Sequence, residues 1–344
     1  RSLSTSQIAS LSTTQFASLG TDDLASLSSK QLAGVSTAQI AGLSSSQFAS
    51  FTSSQIAALS TSQIASLSTS HVAALTTAQI QGLSSSQVGS MTTAQVAAIE
   101  TADLAALKSS SVTGFTTAQI AGMTTNQIQA LTSTQVASFA TSQMGGFTTA
   151  QVAAFTTSQV QTLKNTQLAA LSTTQVAAMG TDDINALKAA QIVAFSSTQI
   201  AGMTTNQIQA FTTEQAAALT TSQIRGLTTS QLTNMQSVDF AALKSSQIAA
   251  MSTAQIAALS TTQISNLSSS QLPGLNTTQM GALTTAQVAA FTTGQMPYLT
   301  AAQIAKMNTT QVAAIETADL AALTTSQISA FTSSQVAGFT TAQI

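Results

Sequence analysis

A large apolar residue falls at every eighth position of this chain without exception. Stepping by eight from Leu3 to Phe339, all 43 stops are Leu, Met, Phe, Ile or Val. A second series, from Ile8 to Ile344, is large and apolar at 42 of 43 stops, with Ala216 the exception. A repeat this strict constrains a fold more than any other feature, because one local structure must serve everywhere. The slots are named here by the first octad: Leu3, Ser4, Thr5, Ser6, Gln7, Ile8, Ala9 and Ser10. Gln holds 36 of the 43 Gln7 slots, and Ser or Thr holds every Thr5 slot except Asn165, Ala189 and Ala301. The register is unbroken, so residues 1–344 are expected to form a single continuous array of about 43 octads. Both ends fall inside the repeat, which predicts a segment of a longer chain.

One octad reads as the start of a helix. Ser4 is a suitable N-cap, and Gln7 three residues later completes a capping box. Leu3 before the cap and Ile8 four residues after it have the spacing of a hydrophobic staple. Five of the seven departures from Gln are Asp (Asp23, Asp103, Asp183, Asp239 and Asp319), and a helix N-terminus favours an acid. A single long helix is excluded: a period of eight makes the apolar stripe drift by about 80° per octad. The expectation is therefore an all-α solenoid of very short helices, one per octad.

The alternative is a β-solenoid. Leu3, Thr5 and Gln7 alternate with freer positions, as in a strand. Pro273 and Pro297 occupy the Ala9 slot, where a longer helix would lose a hydrogen bond. The Thr5 slot is also more strictly hydroxyl than the capping box explains. Against strands, Leu3 and Ile8 are an odd number apart, and Gly is only 16 of 344 residues, few for a chain that turns so often.

Either way an octad buries too little to stand alone, so neighbours must stack. Of the 42 Ser10 slots from Ser10 to Gly338, 37 are Gly, Ala or Ser, which predicts close backbone approach there. Tyr298 and Lys306 depart from this near Pro297 and predict a local irregularity. The acidic octads beginning at Leu19, Ile99, Met179, Met235 and Ile315 are 80, 80, 56 and 80 residues apart. Duplication of an 80-residue block with loss of three octads accounts for this. A sharper hypothesis is that three octads complete about one turn, so that their loss preserves the azimuth.

Chemistry has little to build on. Eight basic and ten acidic residues give a net charge of -2, which argues against a nucleic-acid or anionic-membrane partner. No apolar run approaches the ~18 residues of a membrane span, so no membrane insertion is expected. Cysteine is absent and His71 is the single histidine, so neither a metal cluster nor a histidine triad can be assembled; His71 reads as a substituted cap residue. Asp22–Asp23 and Asp182–Asp183 supply too few oxygens for calcium. Asp103–Lys108, Asp183–Lys188 and Asp239–Lys244 share an offset of five and read as solvated surface pairs rather than bridges between units. The ten methionines all occupy Leu3 or Ile8 slots and read as core. No catalytic residue, cofactor or metal ligand is assigned, and no enzyme is expected. A regular row of Gln is either a buried ladder of amides or a set of caps, each serving its own unit.

Runs such as "LTTAQVAAFTTGQM" from Leu283 and "MTTAQVAAIETADL" from Met91 resemble the octapeptide arrays of giant bacterial surface or secreted proteins, which are adhesin-like exoproteins. The resemblance covers the whole chain. It implies placement outside the cell or at its surface and a structural role as rod, stalk or filament in adhesion, a biofilm matrix or a fibre. Low charge and exposed Ser and Thr permit lateral contact between copies, so the expected partner is the chain itself. The alternative is a binding array that recognises a glycan, mineral or ice surface through rows of Thr or Gln.

Overall fold

The structure is a computed structural model that describes residues 3–344. Among these residues every octad carries its own turn of helix or a tight turn in its place, and there is no strand. The α-helices are four to six residues long. The β alternative is thereby overturned. Thr125–Ala130 is representative: its N-cap Thr124 is extended at φ −74°, ψ 156°, and so is Leu131 after it, at φ −59°, ψ 134°. Two extended residues at the Leu3 and Ser4 slots thus break the helix and redirect the chain in each such unit. No described residue has a positive φ, which is why so few glycines suffice.

Helices this short are not stable alone, so packing must supply what propagation cannot. In the interior octads the Leu3, Gln7 and Ile8 slots are buried, while the Ser4, Thr5, Ser6 and Ala9 slots mostly face solvent. Leu3-slot side chains meet along the coil, as where Phe139 and Phe147 pack edge to face at 5.2 Å.

The helices of one coil lie against those three octads further on; Ser197–Ala201 on Thr221–Gly226 is one such pair. Hydrogen bonds between coils join residues 25 to 31 apart, as in Arg225 to Ala250 and Gln231 to Ile200. One turn therefore takes about 28 residues, three and a half octads. That is half an octad more than the hypothesis of three requires, so losing three octads rotates the surface. Seven octads complete two turns, which is the 56-residue interval between Asp183 and Asp239.

The small Ser10 slot is where coils approach most closely. A Cβ on Gly114 would lie 1.9 Å from the carbonyl oxygen of Ser85, and one on Gly274 would lie 2.5 Å from that of Ser245. Both partners are Thr5-slot residues 29 positions earlier, so the small row and the hydroxyl row face each other across the gap. The two prolines do not disturb the stack. Leu272–Gly274 and Met296–Tyr298 tighten into 3₁₀ turns, and Tyr298 swings out, half exposed. The irregularity expected near Pro297 is this change of turn.

By contact density the chain divides into two solenoid units, Arg1–Met179 and Gly180–Ile344. The first holds the phenylalanine-rich stretch around Phe139; the second holds Ala216 and both prolines. The same slots are buried in each.

Candidate functional site

The most elaborate polar arrangement is the one that recurs at each Gln7 slot. At Gln127, Oε1 accepts from the N–H of its own N-cap, Thr124, at 2.9 Å, and the backbone N–H of Gln127 donates to Thr124 Oγ1 at 3.2 Å. This is the expected capping box. The amide nitrogen does something else: Nε2 donates to the carbonyl oxygens of Val96 at 3.0 Å and Ile99 at 2.8 Å on the preceding coil. The same pair of bonds, 31 and 28 residues back, recurs at Gln63, Gln231 and Gln311, among others. One side chain thus caps its own helix and ties it to the coil below. The two roles the sequence offered as alternatives coexist, and the ladder runs from amide to carbonyl rather than from amide to amide.

This arrangement accounts for burial of the row. Gln127 is 2% exposed, and no buried side-chain nitrogen or oxygen among the described residues lacks a partner. Buried amides are tolerated when all their hydrogen-bonding capacity is used. Gln7 and Gln15 are exposed, and among the described residues their amides meet no carbonyl of an earlier coil.

The departures from Gln keep different parts of this function. His71 keeps both: Nδ1 faces the N–H of Ser68 at 3.3 Å, and Nε2 lies 2.7 Å from the carbonyl oxygen of Leu43. Accepting at Nδ1 and donating at Nε2 requires the neutral tautomer with hydrogen on Nε2. The structure thus places His71 as a cap residue, buried at 3%. Ser111 keeps one bond, donating to Leu83 O at 2.7 Å.

The aspartates reverse the polarity. Asp103, Asp239 and Asp319 each accept from a Thr5-slot hydroxyl of the preceding coil, Thr77, Thr213 and Thr293, at 2.7, 3.0 and 2.8 Å. Three Thr5-slot hydroxyls therefore have a partner that the capping box did not provide. Asp103 and Asp239 are buried and engaged by threonines rather than paired at the surface with Lys108 and Lys244. Burial pushes the Asp239 carboxyl above its ordinary range, and the Thr213 hydroxyl offsets part of that rise. The sequence carries a signal for this class. The N-cap slots of all five Asp octads are Gly20, Glu100, Gly180, Gln236 and Glu316, never Ser or Thr. Where the acid replaces Gln, the hydroxyl cap is gone, but at Gly180 the other half of the box survives, its N–H donating to Asp183 Oδ2 at 3.2 Å.

Among the described residues no three His, Cys, Asp or Glu side chains come together where they could hold a metal ion, and no helix is long and apolar enough to cross a membrane. The arrangement joins coils, and its exposed remainder is a hydroxyl-rich surface at the Ser4, Thr5 and Ser6 slots.

No curated protein matches the chain. The ALTTAQ repeat family matches it in eleven stretches, most of them overlapping: 16–53, 42–69, 49–77, 69–98, 96–133, 157–189, 176–213, 189–221, 232–269, 264–293 and 312–344. These cover well over half of its length in both units, and the chain belongs to the ALTTAQ repeat family.

Proposed function

We propose that this protein is a structural array: an elongated, non-catalytic rod, stalk or filament outside the cell or at its surface, serving adhesion, a biofilm matrix or a fibre. The observation that carries this reading is the use of the recurrent Gln7 slot. Interior Gln side chains are buried, and their amides are occupied in capping one helix and holding the coil below it. A side chain so occupied is unavailable to a substrate. What remains outside is low in charge and rich in hydroxyls, which suits lateral contact between copies.

Solution scattering on the purified chain tests the reading. The expected particle is elongated, and excision of seven octads, 187–242, shortens it by two coils without changing its cross-section. A compact particle, or one whose cross-section changes on excision, refutes it.

The exposed Ser4, Thr5 and Ser6 slots favour a second reading, a repetitive array that recognises a glycan, mineral or ice surface. Gln contributes nothing to such a surface, because it lies inside. A given hydroxyl slot also returns to the same azimuth only on every second coil, since one turn takes three and a half octads. Retention on an immobilised glycan or mineral that is lost when exposed threonines are changed to lysine would favour this reading over the first.

A further inference from the structure

The few charges of this chain are sorted around the coil. In both units Gln Nε2 atoms bond to carbonyls 28 residues back, as at Gln55 with Leu27 and Gln335 with Met307, so the register between coils does not slip. A residue's remainder on division by 28 therefore gives its place around the coil. In the second unit the six acids have remainders from 8 to 18: Glu316 has 8, Asp319 11, Asp182 14, Asp183 and Asp239 15, and Glu214 18. The four bases fill a separate arc. Lys188 and Lys244 have 20, Lys306 has 26, and Arg225 passes the start of the round at 1. The two arcs do not overlap. The first unit is sorted likewise among its described residues: Glu100, Asp103, Asp22 and Asp23 stand at 16, 19, 22 and 23, followed by Lys108 and Lys164 at 24 and Lys30 at 2.

These charges reach solvent. In the second unit Asp182, Glu214 and Glu316 are exposed, as are all four bases. No ion pair engages these acids or Lys188, Lys244 and Lys306 within the molecule. Only 5% of the residues are charged, so these few set the field of each side above a neutral, hydroxyl-rich background.

We propose that the second unit binds a second copy of this chain side by side, the basic side of one copy against the acidic side of the next. The occupant is a copy because the two sides carry opposite signs in nearly equal number, four exposed bases against three exposed acids. A polyanion would be drawn to one side and repelled by the other, whereas a copy answers both. One exposed pair contributes little, but several engage at once along two adjacent stacks, and the later ones form within an existing contact. A contact between unlike sides leaves one side free on each copy, so it extends into rows. The inference rests on the structural reading above and gives its lateral contacts a direction.

Static light scattering of the 344-residue chain tests it against a charge swap, Lys306→Glu with Glu316→Lys. The swap keeps the net charge but sets an acid between Lys244 and Arg225 in the round and a base beside Asp319. Both positions are exposed, the slot of Glu316 already takes Lys at 188 and 244, and circular dichroism checks that the helical content is kept. Scattering per unit mass of the wild type is expected to rise with concentration at about 10 mM salt and to stop rising at about 500 mM, where charges are screened. In the swapped variant the rise at low salt should be less than half that of the wild type. A wild type that shows no rise at low salt overturns the inference, as does a rise that survives high salt or one that the swap leaves unchanged. Polyglutamate at matched ionic strength should not bind; complexes with it in place of self-association would assign the basic side to an anionic polymer and overturn the inference. The particle dimensions extrapolated to infinite dilution decide the structural reading separately, so either can fail without the other.

Discussion

Asp239→Gln is expected to stabilise the second unit at neutral pH, although it alters a well-packed interior position. Asp239 is 2% exposed and holds one inter-coil bond, from Thr213 Oγ1 at 3.0 Å. One octad on, Gln247 shows what the substitution would supply: Nε2 bonds to Ala216 O at 3.1 Å and Leu219 O at 2.8 Å, and an Oε1 bond from the N–H of Lys244. At position 239 the equivalent carbonyls belong to Ile208 and Phe211. Three bonds gained against one lost leaves two, at about 1 kcal/mol each, so the net gain is about 2 kcal/mol. For a unit of this size that is about 4–8 °C in melting temperature. Gln236, which already reaches Gln209 O at 2.7 Å, helps to hold the coils together there and trims the gain.

The pH dependence carries a sign that packing alone would not produce. Burial raises the Asp239 carboxyl in the folded chain above its unfolded value. The folded state therefore binds that proton more tightly. Wild-type stability rises, relative to a variant lacking the group, as pH falls through the folded value, and the gain is complete below the ordinary carboxyl range. The gap between Asp239→Gln and wild type should be widest near neutrality and narrow on acidification. Asp239→Asn, which removes charge without adding length, should show the same narrowing. Thermal melts followed by circular dichroism from about pH 7 to about pH 4 measure both. A variant less stable than wild type at neutral pH would refute the assignment of Gln as the tie between coils. A gap that does not change with pH would refute the buried carboxylate.

Three further outcomes follow from the same geometry. His71→Gln should be close to neutral, whereas His71→Leu, which strands the Ser68 N–H and the Leu43 carbonyl, should cost about 2–4 kcal/mol by chemical denaturation. Gly114→Ala should destabilise by about 1–3 kcal/mol, because its Cβ meets the Ser85 carbonyl oxygen. Gly145→Ala, with nothing within 4 Å of the new carbon, should be neutral or mildly stabilising in the same assay. Gln127→Leu should release the Thr124, Val96 and Ile99 partners together and raise amide exchange in the helices on both sides of that junction by on the order of a hundredfold.

The local half of this fold was legible and the long-range half was not. Ser4 and Gln7 are three apart, so their mutual bonds could be read from spacing, as could the burial of Leu3 and Ile8 slots. The second bond of Gln was hidden for a physical reason. Its partners are backbone carbonyls 28 and 31 residues away, and a carbonyl leaves no mark in a sequence. The number of octads per turn was hidden likewise, because an eight-residue period records what each unit is and not how far the chain travels before it returns. The strict hydroxyl row at the Thr5 slot argued for strands. Thr77, Thr213 and Thr293 now have partners on the next coil, and facing a small residue across a narrow gap accounts for the row's small size elsewhere. The acidic octads are the exception, since the loss of the hydroxyl cap beside every Asp marks their different bonding in the sequence itself.

The half-octad left over in each turn has a consequence for how such a chain can lengthen. As in running-bond masonry, the joint between two units in one course lies against the body of a unit in the next, so no seam runs vertically from course to course. Adding or removing any whole unit leaves the interior correctly filled, but it swings every outward-facing feature beyond that point around the axis. Only changes of seven units, two courses at a time, restore both. Length can therefore change one octad at a time while the mortar stays sound, but each such change scatters whatever is painted on the wall.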